Sequence, residues 1–408
     1  MKKRGLLRQV VLLVVMVLAT GIERAQAQTY TVLFTFDITD GLNPIGGLVR
    51  DSAGTLYGTT YFGGTYTNGV AFKLTKSGAE STLLNFNGGS EGGFPNSNLI
   101  LDSEGNLYGP ADGGTNGGGV LFKLSPKGKE KVMYNFGGCI CLKPRGPAGG
   151  LLMDSSGNLY GATSLGGVKG QGPECELYGC GTIFRFDSSG KLQILYAFKG
   201  EADGAYPSGP LLQDAEGNLY GAAQNGGDLS CPELPLLGCG TLFKVAKDGT
   251  FTVLYTFTGG SDGAGPQSGL IMDSAGNLYG AANVGGSTVC PYGCGTLYKL
   301  SRNGTFTVLY TFLDGTDGDS AYPNGSLVRD SKGNFYGTTQ GGTTNSLYGT
   351  VFKLNKAGAL TVLHDFSKGG NGEIPLSGVI RDSDGNLYGT TYISAGFNGP
   401  GVVYEVTP

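Results

Sequence analysis

The 408-residue sequence contains no tryptophan, a single histidine and only 15 % charged residues. One histidine is too few for a histidine-rich zinc site. The sequence also lacks a G-x-S-x-G elbow, a metalloprotease helix, a P-loop and a dinucleotide-binding turn in a βαβ context. Beyond residue 27, no stretch has a sustained helical period of hydrophobic residues. These absences remove the common enzyme signatures, and we expect no cofactor and no metal ion.

Glycine, tyrosine and phenylalanine are abundant instead, with 77 Gly, 22 Tyr and 20 Phe. Aromatic residues favour β-strands and glycine favours turns, so the composition indicates a β-rich fold with many short connections. Glycine does not recur at every third position, which excludes collagen. Because 39 % of the residues are hydrophobic, the chain can build a large core, which argues against a disordered protein.

The first 27 residues have the pattern of a secretory signal peptide. A basic start precedes an apolar run over residues 10–19, and Ala25 and Ala27 are small residues at the positions that signal peptidase reads. The run is shorter than the roughly 20 residues of a membrane-spanning helix. We therefore predict an exported protein (periplasmic, secreted or cell-surface associated) with no transmembrane segment in the mature chain. Removal of residues 1–27 leaves 23 basic and 31 acidic residues, which argues against nucleic acid or an anionic membrane as partner.

Eight cysteines in an exported chain favour disulfide bonds. They form four local pairs, and in three pairs the second cysteine directly precedes a Gly-Thr dipeptide. CxxC pairs are missing and the histidine is distant in sequence, which disfavours zinc. The fourth pair stays open, because a bridge across one intervening residue would be strained. The disulfide candidates are Cys175 with Cys180, Cys231 with Cys239, Cys290 with Cys294, and Cys139 with Cys141.

One eight-residue phrase, typified by D-S-x-G-N-L-Y-G, occurs seven times. Its copies follow one another at steps of 51 to 60 residues, a period typical of propellers, solenoids and arrays. The phrase contains a type I turn between two short strands; a glycine-rich loop, a third strand, a second tight turn and an alternating fourth strand follow. Each unit is therefore predicted to be a four-stranded antiparallel meander. The copies occupy residues 51–58, 102–109, 154–161, 214–221, 273–280, 330–337 and 382–389.

The two ends of the repeat array predict how the array closes. Residues 29–36 (TYTVLFTF) match a fourth strand, and residues 401–406 (GVVYEV) match a third strand that lacks a fourth. The first segment can complete the last unit, which removes two exposed sheet edges. We therefore predict an all-β fold, a single seven-bladed β-propeller domain over residues 28–408. Each blade has four antiparallel strands, and the N-terminal strand closes the C-terminal blade.

The phrase D-S-x-G-N-L-Y-G, followed by G-G and then by G-T-[VIL]-F-K-L, resembles the GloVer-type tandem repeat of exported bacterial proteins. The resemblance covers essentially the whole mature chain. It implies a repeated β-propeller-like fold and export, and it implies no chemistry, since the family carries no assigned activity. The Gly-Gly pairs are also similar to those of kelch propellers, but the kelch tryptophan is absent.

Long and variable loops are expected on one face of such a propeller, where strand two connects to strand three and each unit connects to the next. Three neighbouring units lengthen these loops and place a cysteine pair in each. We interpret this arc as a binding surface, with neutral insertion as the alternative. Asp-Gly and Glu-Gly pairs recur in the loops between units. We interpret them as tight turns; the alternative is a ring of acidic side chains that binds a cation or a basic ligand. The candidate ligand-face residues are Glu174, Glu176, Tyr178, Glu233, Tyr292, Asp203, Asp262 and Asp317.

Two functions fit these observations. The first is a monomeric binding or scaffold module for an extracellular or periplasmic protein or glycan, without catalysis. The alternative is a polysaccharide-acting hydrolase or lyase that uses carboxylates or tyrosine in the central funnel. His364 occupies the place of Tyr255 and Tyr310 in other units. It is interpreted as a packed substitution, with a general base as the alternative.

Overall fold

A computed structural model describes most of the chain after the predicted signal peptide. The described residues are 28–138, 142–170, 173–232, 234, 237–314, 320–341, 348–366, 372–394 and 399–407. The predicted signal peptide and the pair Cys139 and Cys141 lie outside these residues. Among the residues described, no helix has the length and apolar character needed to cross a membrane.

Seven antiparallel sheets form the seven blades of a β-propeller. Each blade is a meander in which strand one pairs with strand two, two with three, and three with four. In blade 4 the first strand is split into two pieces that both pair with the second strand. This architecture confirms the predicted fold class.

The strands are named in chain order and grouped by blade. Blade 1 contains β2 (Val49–Arg50), β3 (Leu56–Thr60), β4 (Val70–Leu74) and β5 (Glu80–Asn85); blade 2 contains β6 (Ile100–Leu101), β7 (Leu107–Ala111), β8 (Val120–Leu124) and β9 (Glu130–Asn135). Blade 3 contains β10 (Arg145–Met153), β11 (Leu159–Leu165), β12 (Thr182–Phe186) and β13 (Leu192–Ala197), with the helix α1 (Pro173–Tyr178) between β11 and β12. Blade 4 contains β14 (Ala205–Pro207), β15 (Leu212–Gln213), β16 (Leu219–Asn225), β17 (Thr241–Val245) and β18 (Phe251–Thr256). Blade 5 contains β19 (Ile271–Met272), β20 (Leu278–Ala282), β21 (Thr296–Leu300) and β22 (Phe306–Thr311); blade 6 contains β23 (Pro323–Arg329), β24 (Phe335–Thr339), β25 (Thr350–Leu354) and β26 (Leu360–Asp365). Blade 7 contains β27 (Ile380–Arg381), β28 (Leu387–Thr391), β29 (Val402–Thr407) and β1 (Thr29–Thr35).

The repeated phrase builds the turn between strands one and two through its aspartate. In blade 5, Asp273 accepts hydrogen bonds from the backbone N–H and side-chain amide of Asn277, at 2.9 Å each, and from the Tyr279 hydroxyl at 2.8 Å. The backbone and tyrosine bonds recur in all seven copies, and the asparagine amide bond recurs in six. The phrase is therefore a turn-forming network that fixes where strand two begins.

Neighbouring blades are joined by a glycine and a proline. A glycine stands just before each third strand, and a Cβ atom there would lie closer than 3.0 Å to the proline Cδ of the next blade. All of these glycines except Gly401 also have a positive φ. A side chain is therefore excluded on steric grounds at every joint, and on conformational grounds at all joints except that of Gly401. The pairs are Gly69 with Pro95, Gly119 with Pro147, Gly181 with Pro207, Gly240 with Pro266, Gly295 with Pro323, Gly349 with Pro375, and Gly401 with Pro44.

Aromatic pairs form a second set of contacts between blades. A phenylalanine just after each fourth strand meets an aromatic ring in the third strand of the next blade, with centroids 4.9 to 5.5 Å apart in edge geometry. All of these rings are fully buried. Edge-to-face aromatic pairs are worth about 0.5–1.5 kcal/mol beyond the area that they bury. The pairs are Phe36–Phe72, Phe86–Phe122, Phe136–Phe184, Phe198–Phe243, Phe257–Tyr298, Phe312–Phe352 and Phe366–Tyr404.

The ring closes at blade 7 as predicted. β1 pairs antiparallel with β29, from Thr29 opposite Thr407 to Thr35 opposite Val402. The N–H of Phe36 then donates to the carbonyl of Gly401 at 3.1 Å. This pairing satisfies the backbone groups along the facing edges of β1 and β29. The inter-blade contacts therefore continue around the whole ring.

Candidate functional site

The two faces of the propeller differ in their exposed apolar side chains. We call the face with the strand two–three loops and the blade-to-blade loops the upper face; the tight turns form the lower face. Among the described residues, eleven large hydrophobic side chains are exposed, and ten of them lie on upper-face loops. The eleventh, Ile194, lies in β13. The ten are Ile38, Phe62, Tyr66, Leu142, Val168, Leu177, Leu229, Leu237, Val289 and Tyr292.

Three of the long upper-face loops are stapled by disulfides. The bridges join Cys175 to Cys180, Cys231 to Cys239 and Cys290 to Cys294, with Cα–Cα distances of 4.7, 5.3 and 5.2 Å. All six cysteines are buried, and they pack in the blade cores. The bridges confirm the three predicted pairs and indicate an oxidising, extracytoplasmic environment.

The stapled loops present a mixture of apolar and acidic groups. Leu177 is 58 % exposed on α1, and Tyr292 is 60 % exposed in the blade 5 loop. Glu176 is also exposed. The Arg145 guanidinium lies over the ring of Tyr178, 4.3 Å from the ring centroid, so one face of this ring is already used in a contact within the protein. Of the other predicted ligand-face residues, the side chains of Glu174, Glu233 and Asp317 lie outside the described part of the chain.

Two predicted ligand-face carboxylates already accept hydrogen bonds in their own turns. Asp203 accepts from the Tyr196 hydroxyl at 2.8 Å and from the N–H of Lys199 at 3.0 Å. Asp262 accepts from the Tyr255 hydroxyl and from the N–H and hydroxyl of Thr258 at 2.7 to 2.9 Å. These contacts match the turn interpretation of the Asp-Gly pairs. The role of both residues in ligand binding stays a prediction.

The central channel is narrow and uncharged. A cavity of about 240 Å³ lies on the propeller axis, and every blade contributes to its wall. Amide, hydroxyl and aliphatic groups line it, and no ionisable side chain is among the described lining residues. The polar lining residues are Asn96, Ser97, Asn98, Ser208, Gln267, Ser268, Asn324, Ser326 and Ser377.

Above the channel, the residue before each inter-blade proline adopts a positive φ. Sequence analysis missed this feature, although the recurring proline marked its place. Five of the seven residues are not glycine, and a positive φ is uncommon for such residues and costs on the order of 1–3 kcal/mol. The five have φ between 52° and 61°. They are Asn43, Phe94, Tyr206, Tyr322 and Ile374, and glycines occupy the other two places, Gly146 and Gly265.

All of these residues except Asn43 donate their backbone N–H to the preceding blade, and Asn43 instead donates its side-chain amide to the carbonyl of Tyr392 in blade 7 at 3.0 Å. The N–H of Phe94 donates to the carbonyl of Asn68 in the preceding blade at 2.7 Å. The N–H of Tyr322 likewise donates to the carbonyl of Cys294 at 2.9 Å, and the carbonyl of Tyr322 accepts from Gln340 at 2.9 Å. The strained conformation is thus fixed by the neighbouring blade, and it sets the direction of the side chains around the upper mouth of the channel.

Comparison of the sequence with protein families identifies the repeat. The model of the Gloeobacter/Verrucomicrobia repeat matches residues 22–231, 111–290 and 290–408, which together cover almost the whole chain. The chain belongs to the Gloeobacter/Verrucomicrobia repeat family. No curated protein is significantly similar to it in sequence.

Solved structures similar to this Gloeobacter/Verrucomicrobia repeat protein share its fold at low identity. The extracellular domain of the one-component system BT4673 from B. thetaiotaomicron aligns with a TM-score of 0.53 and 11 % identity, over 90 % of this chain and 39 % of that one. PorZ, a surface component of the type-IX secretion system of Porphyromonas gingivalis, aligns with a TM-score of 0.52 and 14 % identity, over 92 % and 47 %. The chain thus spans less than half of either protein.

A gluconolactonase from Xanthomonas campestris, XC5397, aligns with a TM-score of 0.43 and 12 % identity over 93 % of this chain and 89 % of that one. This score is too low to support an inference about the repeat protein. Likeness at such identities shows the propeller fold alone, and function has to be argued from the site.

The single histidine of this repeat protein is packed between blades. The imidazole of His364 stacks on Tyr30 with centroids 3.7 Å apart and planes 5° apart. Tyr196 stacks on Phe251, and Tyr255 on Phe306, in the same way. Burial, partly offset by Asp365, lowers the pKa of His364 to about 4. The structure therefore supports the packed interpretation, with the ring as a planar filler in the place of tyrosine.

Proposed function

We propose that this repeat protein is an exported, non-catalytic binding module whose upper face docks a protein or glycan ligand outside the cytoplasm. The concentration of exposed apolar side chains on that face carries the proposal. Exposed apolar side chains are costly to leave in water, and their concentration on one face favours an interaction surface there. The three disulfides support the location, since such bonds persist in oxidising compartments.

The charge of the upper face narrows the class of ligand. Its loops carry eleven acidic and three basic side chains among the described residues. Such a surface repels polyanions and attracts neutral or basic ligands. Nucleic acids and anionic membranes are therefore poor candidates, in agreement with the net charge of the mature chain.

The channel lining gives the hydrolase alternative no support. Glycoside hydrolysis needs two carboxyl groups about 5–10 Å apart on either side of the scissile bond. Amides and hydroxyls occupy the described wall of the channel instead. These groups can hold a ligand through hydrogen bonds, but they are weak proton donors and acceptors at neutral pH.

The proposal is tested by comparing matched surface variants. The mature protein is immobilised and exposed to envelope extract and to a glycan array, and each captured component is then purified and its affinity measured. We expect the Leu177→Ser/Tyr292→Ser double variant to lose binding by about tenfold or more, because central apolar anchors contribute most of an interface's energy. Ile194→Ser serves as the control, since Ile194 is 38 % exposed but lies away from the upper face.

Binding that is equally reduced by Ile194→Ser, or unchanged in the double variant, would contradict the assignment of the ligand to the stapled loops. Replacing residues 232–238 by a short Gly-Ser linker gives a second test, because it changes the loop and keeps Cys231 and Cys239, which pack in the blade core; we expect this variant to fold and to lose binding.

A further inference from the structure

One carboxylate at the upper mouth of the channel lacks adequate partners. Asp112 directly follows β7, and its nearest hydrogen-bond donor is the side-chain amide of Asn96, 3.4 Å from its Oδ2 atom. No other side-chain hydrogen bond to this carboxylate is present among the described residues. Burial raises the pKa of Asp112 to about 6. The side chain is half-buried, and the single long bond from Asn96 leaves most of its acceptor capacity open to solvent or to a ligand.

Asp112 is also the single acid at its place in the ring. The residue that follows the same stretch of strand two in the other blades is neutral, so turn formation does not require a carboxylate there. The equivalent residues are Tyr61, Ser164, Gln224, Asn283, Gln340 and Tyr392.

Three aromatic rings form a cluster beside Asp112, called the platform below, in which the ring planes cross at 47° to 83°. The ring of Tyr61 lies 4.7 Å from that of Phe62 and 5.5 Å from that of Phe94, and Phe62 and Phe94 are 5.7 Å apart, all between centroids. Phe62 is 39 % exposed. The N–H of Gly93, the residue before Phe94, donates to the carbonyl of Asp112 at 2.8 Å, which brings Asp112 next to this cluster. Burial, followed by the charge of Asp112, raises the pKa of Tyr61.

The platform is tied to neighbouring backbone and is linked to the channel through Asn96. The backbone of Phe94 is fixed by its hydrogen bond to Asn68, and Tyr61 donates its N–H to the carbonyl of Asn43 at 3.0 Å. Asn96, whose amide contacts Asp112, is also part of the channel wall. Asn96 thus connects the carboxylate beside the platform to the amides of the channel.

We propose that the upper mouth of the central channel binds a neutral saccharide, whose ring packs against the exposed Phe62 of the Tyr61–Phe62–Phe94 platform and whose hydroxyls donate to Asp112. A sugar ring has an apolar C–H face and an edge of hydroxyls, which matches an aromatic surface beside carboxylate and amide acceptors. The acidic loops around the mouth exclude uronic acids and sulfated sugars. This inference deepens the proposed function by naming a ligand class and a subsite separate from the stapled loops.

The volume of the channel limits how the saccharide can lie. At about 240 Å³ the cavity is smaller than the roughly 300–1,000 Å³ of ordinary small-molecule sites. A chain of sugars therefore rests at the mouth, with at most one end directed into the channel toward Asn98 and Asn324.

The test uses defined oligosaccharides and the full mature protein. Isothermal titration calorimetry is run with cellohexaose, xylohexaose, maltohexaose and chitohexaose as neutral probes, and with hexagalacturonate as the anionic probe. We expect at least one neutral probe to bind and the anionic probe not to bind. Loss of a hydrogen bond to a charged group costs on the order of tenfold or more in affinity, so we expect Asp112→Asn to weaken binding by that factor. Phe62→Ala removes the aromatic surface against which the sugar packs, and we expect it to weaken binding by a similar factor.

Two controls separate the site from general surface effects. Tyr66→Ala removes another exposed aromatic ring of the same blade 1 loop outside the platform, and we expect it to leave saccharide affinity unchanged. Asp112→Asn removes a poorly solvated charge, so we expect its Tm at pH 7 to rise while its saccharide affinity falls. A structural role for Asp112 predicts the opposite change in Tm.

Several outcomes would overturn the inference. They are the absence of binding to all four neutral probes, stronger binding of hexagalacturonate, an equal loss in Tyr66→Ala, or a lower Tm in Asp112→Asn. The Leu177→Ser/Tyr292→Ser variant distinguishes this inference from the proposed function. Its affinity for the neutral probe should be unchanged, even where its capture of a macromolecular ligand is lost.

Discussion

Two tyrosines in blade 5 provide a test in which the same chemical change has opposite effects on stability. Tyr298 is fully buried, and its hydroxyl has no hydrogen-bond partner among the described residues. Tyr279 lies in the adjacent strand β20, and its hydroxyl donates to Asp273 at 2.8 Å. Tyr298→Phe and Tyr279→Phe each delete one oxygen atom. The first relieves an unsatisfied polar group, and the second removes a bond to a charged acceptor.

The magnitudes follow from these environments. A buried hydroxyl without a hydrogen-bond partner destabilises the folded state by about 1–3 kcal/mol. Removing the oxygen also leaves a small void, which costs part of that gain, so Tyr298→Phe should stabilise the protein by about 1 kcal/mol. Hydrogen bonds to charged groups contribute about 1.5–3 kcal/mol, so Tyr279→Phe should destabilise it by about 1–2 kcal/mol. Burial raises the pKa of Asp273, but the bonds from Asn277 and Tyr279 outweigh it and hold that pKa at about 2.

The assay is guanidinium unfolding followed by far-UV circular dichroism and by hydrogen exchange of blade 5, because a repeat protein of this size does not have to unfold in one step. The absence of tryptophan makes circular dichroism preferable to intrinsic fluorescence. Protection in β20 and β21 should increase in Tyr298→Phe and decrease in Tyr279→Phe. If Tyr298→Phe is destabilising, the hydroxyl has a partner such as a buried water, and the reasoning is wrong.

Three further predictions concern the ring and its loops. His364→Phe should make the stability of the protein less sensitive to acid. Because folding lowers the pKa of this imidazole, the stabilisation that His364 provides is present above pH 6.5 and is lost as the pH falls toward 4. The loss should be about 1–2 kcal/mol after allowance for partial exposure, and unfolding curves of wild type and variant at pH 7 and pH 4 measure it. Phe36→Ala removes a buried ring from the closure and should lower the free energy of unfolding by about 3–5 kcal/mol; an unchanged denaturation midpoint would refute the role of β1 in closing the ring. Replacing Cys231 and Cys239 together by alanine should abolish hydrogen-exchange protection in their loop and leave β16 and β17 protected, whereas loss of protection throughout blade 4 would show that the staple supports the sheet.

The sequence was sufficient to predict the architecture because each repeat pairs strands that are neighbours in the chain and separates them by recognisable turn residues. The aspartate and glycine of each phrase specify a turn, and the alternation in segments such as β22 specifies a strand, so blade number and strand order followed from counting. The partial blades at the two ends predicted the pairing of β1 with β29 without any knowledge of contacts. Three disulfides were predicted because each cysteine pair occurs within one loop, where few alternative partners exist.

The candidate site was less accessible to sequence reasoning because it depends on positions from several blades. Asp112 looks like one more acid beside a Gly-Gly pair, and its poor solvation becomes visible only when Asn96 and Tyr61 are placed beside it. The positive φ of Phe94 and Tyr322 was not predicted, because the residue before a proline ordinarily adopts extended geometry. Asp203 and Asp262 were named as ligand-face candidates, and the structure shows that both accept hydrogen bonds within their turns, while their role in ligand binding stays a prediction.

The separation between joints and loops explains how this propeller can carry binding surface at little cost in stability. The contacts that hold the blades together lie at the bases of the upper-face loops and in the strands: the glycine–proline contacts just before each third strand, and the buried aromatic pairs such as Phe257 with Tyr298. Neither set involves the tips of the long loops. Lengthening a loop costs only about 0.6 kcal/mol for each doubling of its length, and a staple limits even the flexibility that the extra residues bring. Hydrogen bonds to the preceding blade likewise stabilise the unfavourable backbone conformation before each proline. The ring as a whole therefore fixes the geometry of the upper mouth. A propeller built in this way can change its ligand by changing loop tips and mouth residues such as Asp112 while every joint stays the same.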